Sequence, residues 1–327
     1  MKKKALLFFF YIFALAVLYL FCEGITRLLL PQIKPQGTDK NLIVDNMYYN
    51  SHGLKSLSSG YSNGALVKID QYGFREFKTK VDTTKKSLLL LGDSVTMGIG
   101  VEADSTFAGR LQSELDSVNI LNPSVVGYAI EDYENLAKHF IVKEGNKLNI
   151  SKIFVCWCLN DLYFHVPDFE TPGGSLRYLF GDLLKFIRTR SRFYMFVKTQ
   201  FFDRPKTYYL FDEKFYSTEK EEFIQSIRKI ESIKNLCQIH QIEFEILLLP
   251  YEYQIRNAES ILDQPQKLMK DKLAERGVKV LDAANYLAKR KVNSTQLFLY
   301  GDGIHFSDAG HRLIVGYIIK NVMFSTR

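Results

Sequence analysis

Four short stretches of this 327-residue chain carry residue types suited to acyl transfer, and each comes just after an apolar run. In Leu90-Leu91-Gly92-Asp93-Ser94-Val95-Thr96-Met97-Gly98-Ile99-Gly100 a serine follows a buried-strand pattern and is flanked by glycines. At a sharp turn from strand to helix its hydroxyl is exposed and its own N–H is left for a ligand. Asn122-Pro123-Ser124-Val125-Val126-Gly127 offers a second N–H, because glycine lets the backbone approach a ligand closely. Cys158-Leu159-Asn160-Asp161 offers a side-chain amide. Farther on, Tyr300-Gly301-Asp302-Gly303-Ile304-His305 places a carboxylate three residues before an imidazole, and a general base needs such an orienting partner. The four stretches thus supply a nucleophile, oxyanion donors and a base. Asp93 reads as a group that bonds the N–H groups of its turn, and Asp161 as one that fixes the loop bearing Asn160. His311 falls on the following helix as a surface or core histidine, and His52, His139, His165 and His240 stand in no motif.

The elements that must position these residues are legible as a change of pattern at Lys86. Short, nearly continuous apolar runs at Ser87 to Leu91, Val118 to Leu121, Lys152 to Trp157, Ile242 to Leu249 and Val278 to Leu281 suit strands buried on both faces. Between them Phe107, Leu111 and Leu115 recur at helical spacing, and Tyr133 to Val142, Glu219 to His240 and Asp308 to Val322 also read as helices. Strands alternating with helices predict an α/β domain with a parallel sheet covered on both sides, and ligands at the carboxyl ends of its strands.

Together these blocks resemble the SGNH (GDSL-type) esterase family. The resemblance covers roughly 86 to 325 and rests on Gly92-Asp93-Ser94-x-Thr96-x-Gly98-x-Gly100, Asn122-x-Ser124-x-x-Gly127, Asn160-Asp161 and Asp302-x-x-His305, in the family's order. It implies a three-layer α/β/α flavodoxin-like fold and a hydrolase with neither metal nor organic cofactor. It also implies Ser94 as nucleophile, His305 as base and Asp302 as its orienting acid, with the Ser94 N–H, the Gly127 N–H and the Asn160 side chain as the oxyanion hole. The sequence departs from the pattern at Cys158, where the family's third block has glycine.

The N-terminus is of different composition. Lys2-Lys3-Lys4 precedes an uninterrupted apolar run from Ala5 to Cys22, closed by Glu23, Thr26 and Arg27. Eighteen helical residues span about 27 Å, close to the hydrocarbon thickness of a bilayer. Leu20, Phe21 and Cys22 at the exit are not the small residues of a signal-peptide cleavage site, so residues 5–22 read as an uncleaved anchor. The lysines keep the N-terminus cytoplasmic and send the rest of the chain to the periplasmic or extracellular side. The expected organisation is an anchor at 1–30, a linker and N-terminal extension at 31–85, with strand character near Ala65 to Ile69 that reads as a strand or hairpin packed on the main domain, and the catalytic domain at 86–327. The net charge of +7 is too dispersed to indicate nucleic acid. Four cysteines make no disulfide scaffold, and Cys156 with Cys158 lacks the second pair that a zinc site needs.

Residues 162–215 are too long for an ordinary strand-to-helix connection and form an insertion beside the site. Between Arg177 and Lys206 this insertion carries Arg177, Lys185, Arg188, Arg190, Arg192, Lys198, Arg204 and Lys206, interleaved with Tyr178, Phe180, Phe186, Phe193, Tyr194 and Phe196. Such a mixture can stack on sugars, bind anionic groups or lie on an anionic membrane; it is equally the pattern of a helical flap with an apolar underside. The reading that results is a membrane-anchored serine esterase, in the first place a deacetylase, acting on an envelope or extracellular saccharide or lipid ester. Three alternatives stay open: an O-acyltransferase of cell-surface polysaccharide, a metal-dependent phosphoesterase using Asp93, Asp161, Asp302 and His305, and a catalytically silent scaffold of polysaccharide assembly.

Overall fold

A computed structural model describes residues 2–162, 174–256, 262–290 and 292–322. His165 and the rest of 163–173 within the expected insertion lie outside the described residues, as do 323–327; the side chains of Arg177, Tyr178 and Lys185 are likewise not described. The chain begins with helix α1 (Lys2–Leu29), whose Lys3–Leu29 stretch holds an 18-residue window of mean hydropathy 2.6 and is long and apolar enough to cross a membrane. Four short strands follow, β1 (Ile43–Tyr48), β2 (Ser51–Leu54), β3 (Ser59–Ser62) and β4 (Ala65–Lys68), paired as two antiparallel hairpins. The second hairpin turns at Asn63-Gly64, both at positive φ, which matches the right-handed twist of the flanking strands. Leu42, Tyr48, Leu54, Val67 and Ile69 of this extension join the main core, so its hairpins pack on the main domain.

The main sheet is formed by β5 (Lys86–Gly92), β6 (Val118–Leu121), β7 (Ile150–Trp157), β8 (Glu243–Leu248) and β9 (Lys279–Asp282), each close to an apolar run read from sequence. All pairings are parallel and the order is β6-β5-β7-β8-β9. Leu89 pairs with Leu121 on one side and Ile153 on the other, and Val155 pairs with Ile246, so the sheet centre is aliphatic on both faces. The helices are α2 (Ser94–Met97), α3 (Phe107–Glu114), α4 (Ile130–Val142), α5 (Gly145–Leu148), α6 (Gly174–Arg190), α7 (Arg192–Phe201), α8 (Arg204–Asp212), α9 (Glu221–Ile239), α10 (Glu252–Arg256), α11 (Gln264–Ala274), α12 (Ala284–Ala288) and α13 (Asp308–Val322). Helix α3 packs with α13 and α4 with α9, and with the right-handed crossovers general to parallel sheets this strand order puts the two pairs on opposite faces. Helix α4 shows the local logic: Ile130, Tyr133, Leu136, Ala137, Phe140 and Ile141 are buried at helical spacing, and Asp132 accepts a hydrogen bond from Ala129 N at its start. The result is the expected three-layer α/β/α arrangement, whose strand order reverses beside β5, where such sheets open a crevice at their carboxyl edge.

Candidate active site

Strand β5 ends at Gly92, and the chain turns at once into α2. A Cβ on Gly92 would lie 2.1 Å from Thr96 Oγ1, so only glycine lets the turn close this tightly. Asp93 caps α2 by accepting a hydrogen bond from Val95 N at 2.8 Å. Ser94 is the first helical residue, a position where the N–H has no intrahelical acceptor. The carbonyls of the following loop are gathered by Arg75, which is buried and donates to the carbonyls of Met97, Gly98 (2.7 Å) and Val101. Burial lowers the Arg75 guanidinium to about 10, yet it stays cationic at neutral pH.

Ser94, His305 and Asp302 form a continuous relay. Ser94 Oγ lies 2.8 Å from His305 Nε2, and His305 Nδ1 lies 2.7 Å from Asp302 Oδ1. An Nδ1–H that donates to the carboxylate leaves Nε2 as an acceptor for the serine hydroxyl. Asp302 Oδ1 also accepts from Ile304 N at 3.1 Å and His305 N at 2.9 Å, so the same carboxylate shapes the turn that carries the imidazole. Asp302 Oδ2 faces Arg204 Nη1 at 3.2 Å. Burial of Asp302 opposes ionisation, but the His305 imidazole, then the Arg204 guanidinium and the hydrogen bonds from His305 outweigh it and hold the carboxyl far below the usual carboxylate range. Among the described residues no cluster of His, Cys, Asp and Glu has the arrangement of a metal site.

Asn160 sits on the 3-10 turn Leu159–Leu162 after β7 and joins the same group: its Nδ2 donates to Asp93 Oδ2 at 3.1 Å. Its Oδ1 accepts from Tyr251 Oη at 2.9 Å, which fixes the amide and leaves its second N–H for another acceptor. Tyr251 Oη is also 2.6 Å from Asp212 Oδ2. Burial pushes Asp212 up to about 8, the hydrogen bond with Tyr251 acting the other way. A neutral Asp212 donates to Tyr251 Oη, and the phenol proton then goes to Asn160. Cys158, in the place of the family's glycine, lies outside the left-handed region and is buried; its N–H donates to Asp161 Oδ2 at 2.7 Å, so no glycine is required there. Burial, and next the neighbouring Asp93, push Asp161 far above the ordinary carboxylate range, while burial pushes the Cys158 thiol up. Gly127 is exposed at φ 87°, a conformation that favours glycine, beside Val126 in the wall of the cleft that also holds His305.

That cleft, of about 800 Å³, is walled by Asp302, His305 and Arg204, by residues 35–40 of the N-terminal extension, and by Arg188 to Arg190 of α6. His311 is elsewhere: it is buried and accepts a hydrogen bond from Phe107 N at 3.1 Å, and burial followed by the Arg75 charge push it down to about 3. It is a core histidine. Four residues of this assembly, Arg75, Arg204, Asp212 and Tyr251, were not singled out from the sequence. Tyr251 had a signal, since it stands just past an apolar run and strand ends carry ligands. Arg75, in Tyr72-Gly73-Phe74-Arg75, stood in no motif of its own.

Residues 90–313 match the family described as GDSL-like lipase/acylhydrolase. No curated protein matches the sequence significantly. Among solved structures, a member of the lipolytic G-D-S-L family from Veillonella parvula is similar at 13% identity and a TM-score of 0.43, over 73% of this chain and 98% of that one. A lipase/acylhydrolase from Enterococcus faecalis is similar at 13% identity and a TM-score of 0.41, over 73% and 96%. An acetylxylan esterase from Geobacillus stearothermophilus is similar at 14% identity and a TM-score of 0.40, over 74% and 95%. With the family's blocks gathered at one sheet edge and its profile spanning two-thirds of the sequence, the chain belongs to the GDSL-like lipase/acylhydrolase family and is a serine ester hydrolase.

Proposed function

We propose that the chain is a membrane-anchored deacylase, in the first place a deacetylase, that cleaves esters on an envelope or extracellular saccharide or lipid. The observation that carries this reading is the relay from Ser94 Oγ to His305 Nε2 (2.8 Å) and from His305 Nδ1 to Asp302 (2.7 Å), of which His305 and Asp302 line the cleft and Ser94 lies buried behind the imidazole. In this reading Ser94 is the nucleophile and His305 the general base, with Asp302 holding the ring in the tautomer that accepts the serine proton. As Oγ attacks the ester carbonyl, the proton passes to Nε2. The carbonyl oxygen turns to the N–H groups of Ser94 and Gly127 and to the second N–H of Asn160, donors worth on the order of 3 kcal/mol each in comparable sites. The tetrahedral species collapses as His305 returns the proton to the departing alkoxide. Water, deprotonated by His305, then releases the acid from Ser94.

The apolar helix Lys3–Leu29 supports anchoring by residues 5–22, with the lysines cytoplasmic and the catalytic domain outside. Organisation follows the same lines: an anchor at 1–30, an N-terminal extension at 31–85, and a catalytic domain at 86–327 that carries the 162–215 insertion. Covalent labelling by a fluorophosphonate tests the reading directly. Labelling confined to Ser94, and loss of both labelling and hydrolysis of a chromogenic acetyl ester in Ser94→Ala and His305→Ala, are the expected results. Full hydrolysis by either variant overturns the assignment.

A further inference from the structure

Helix α1 and the start of α7 are joined at one level. Tyr19 Oη donates to Ser191 Oγ, and the Tyr19 ring meets Phe193 edge-on at 5.7 Å between centroids. One turn later Glu23 accepts hydrogen bonds from Ser191 Oγ (2.8 Å), Arg192 N (3.0 Å) and Phe193 N (2.9 Å). The apolar run of α1 ends at Cys22, so residues 191–193 lie beside its last turn, and in an anchored chain that depth is the boundary between hydrocarbon and headgroups. At this boundary a pocket of about 410 Å³ opens between Arg27, Pro35, Thr189, Arg190 and Arg192. Three guanidinium groups stand there against one carboxylate, Glu23, which pairs with Arg27 at 2.7 Å. Arg192 Nε is buried and has no hydrogen-bond partner among the described residues. Just before the pocket, α6 exposes Phe180, Leu183 and Phe186, each more than half accessible, and the Arg190 guanidinium lies 4.3 Å from the Phe186 ring centroid. Pro35, Thr189 and Arg190 line both this pocket and the catalytic cleft, so the two share a wall.

We propose that the arginine pocket binds the phosphate of an anionic bilayer lipid and seats α6 and α7 on the membrane surface, so that the catalytic cleft opens beside the headgroup layer. Planar guanidinium groups suit phosphate oxygens, and an apolar helix face flanked by arginines suits an anionic interface. The inference rests on the anchored reading given above. It names the source of the substrate as well: an ester carried by an amphiphile of the same leaflet, reaching Ser94 along the shared wall.

The test uses the full chain in detergent and native mass spectrometry, with phosphatidylglycerol, phosphatidylcholine of equal chain length, or inorganic phosphate as the probe. Phosphatidylglycerol is expected to be retained, and Arg190→Gln with Arg192→Gln to weaken retention about 30-fold, as expected for two charges near an anionic lipid. The corresponding double change to lysine is expected to keep the preference, and fluorophosphonate labelling reports whether each variant is folded. Equal retention of the two lipids by the parent chain, retention of inorganic phosphate without lipid preference, or undiminished preference in the glutamine variant overturns the proposal. A second readout places α6: Leu183→Trp in nanodiscs of brominated lipid should be quenched, whereas the single native tryptophan, Trp157, is buried in the sheet and is not. An unquenched introduced indole overturns the membrane seat. Lipid retention is expected to be unchanged in Ser94→Ala, so failure of the esterase reading and failure of the lipid site register separately. A mature chain found without residues 1–22 in the same spectra overturns the anchor and the lipid site together.

Discussion

The carboxyl edge of the sheet and the segment 174–215 meet at the same reaction centre, but they are held there by different kinds of bond. At the sheet edge the loops of Ser94, Asn160 and His305 each carry a carboxylate bonded to their own backbone: Asp93 caps Val95 N, Asp161 takes Cys158 N, and Asp302 takes Ile304 N and His305 N. In 174–215 the contributions reach across the fold. Arg204 meets Asp302, Asp212 meets Tyr251, and Thr199 Oγ1 lies 3.3 Å from Tyr300 Oη on the loop of His305. The segment therefore buttresses the loops of His305 and Asn160 as well as walling the cleft. Residues held by a local turn need only the sheet beneath them, whereas residues held across the fold couple the site to the packing of the insertion.

The sharpest way to break this contrast is to change the two groups that bear on one carboxylate. Asp302→Asn leaves the turn in place but cannot hold His305 in the accepting tautomer, and it is expected to lower kcat about 10⁴-fold. Arg204→Gln removes a charge-assisted contact of 3.2 Å from the other oxygen and is expected to cost roughly tenfold to a hundredfold. Steady-state kinetics on an acetyl ester measures both. Equal losses would mean that the insertion is as integral to the relay as the motif.

Next in size is Asn160→Ala, which removes an oxyanion donor and is expected to lower kcat by about 10² to 10³ with KM little changed. A comparable rise in KM would show that Asn160 binds the ground state as strongly as the tetrahedral species.

The same contrast explains what could be read from sequence. The five strands showed because residues such as Leu88 to Leu91 are apolar without interruption, which burial on both faces requires. The Asp302-x-x-His305 turn showed because both partners lie within one loop, so their spacing encodes their geometry. Arg204 and Asp212 carried no such record: a basic or acidic residue on a helix looks the same whether it faces water or a partner far along the chain. Arg75 was hidden differently, since its partners are the backbone carbonyls of Met97, Gly98 and Val101, and no residue type marks a carbonyl. In the N-terminal extension only the strand near Ala65 to Ile69 was legible; the strands before it are broken by polar residues and glycine, Asp45 and Asn46, Ser51 to Gly53, and Ser59 and Gly60, so no apolar run marks them.

Asp212→Asn sharpens the comparison through stability. With its carboxyl pushed up to about 8 in the fold and near 4 when unfolded, Asp212 binds a proton more tightly in the native state. Between about pH 4 and pH 8 the native protein then holds the proton that the unfolded chain has lost, so stability falls as pH rises, by up to about 1.4 kcal/mol per unit from this one group. Asparagine has the shape of the protonated acid and still donates to Tyr251. The variant is expected to match the parent near pH 4 and to exceed it increasingly toward pH 8, as read from denaturant midpoints at several pH values. A gap that does not widen with pH would show that Asp212 is ionised in the fold.

The smallest expected effect is that of Tyr251→Phe, and it separates support from catalysis. The phenol touches no reacting atom; its oxygen lies 2.9 Å from Asn160 Oδ1 and 2.6 Å from Asp212 Oδ2, and while Asp212 is protonated the phenol proton goes to Asn160. Without that bond the amide can rotate and present its oxygen to the developing charge for part of the time, so kcat should fall about tenfold, the loss of one hydrogen bond, with KM unchanged. In the parent, ionisation of Asp212 near pH 8 would draw the phenol proton away from Asn160. The parent should therefore approach the Tyr251→Phe rate as pH rises through 8, and Asp212→Asn should not. A constant ratio of parent to Tyr251→Phe across that range would show that Tyr251 acts through packing alone and that the insertion's link to the oxyanion amide carries no proton.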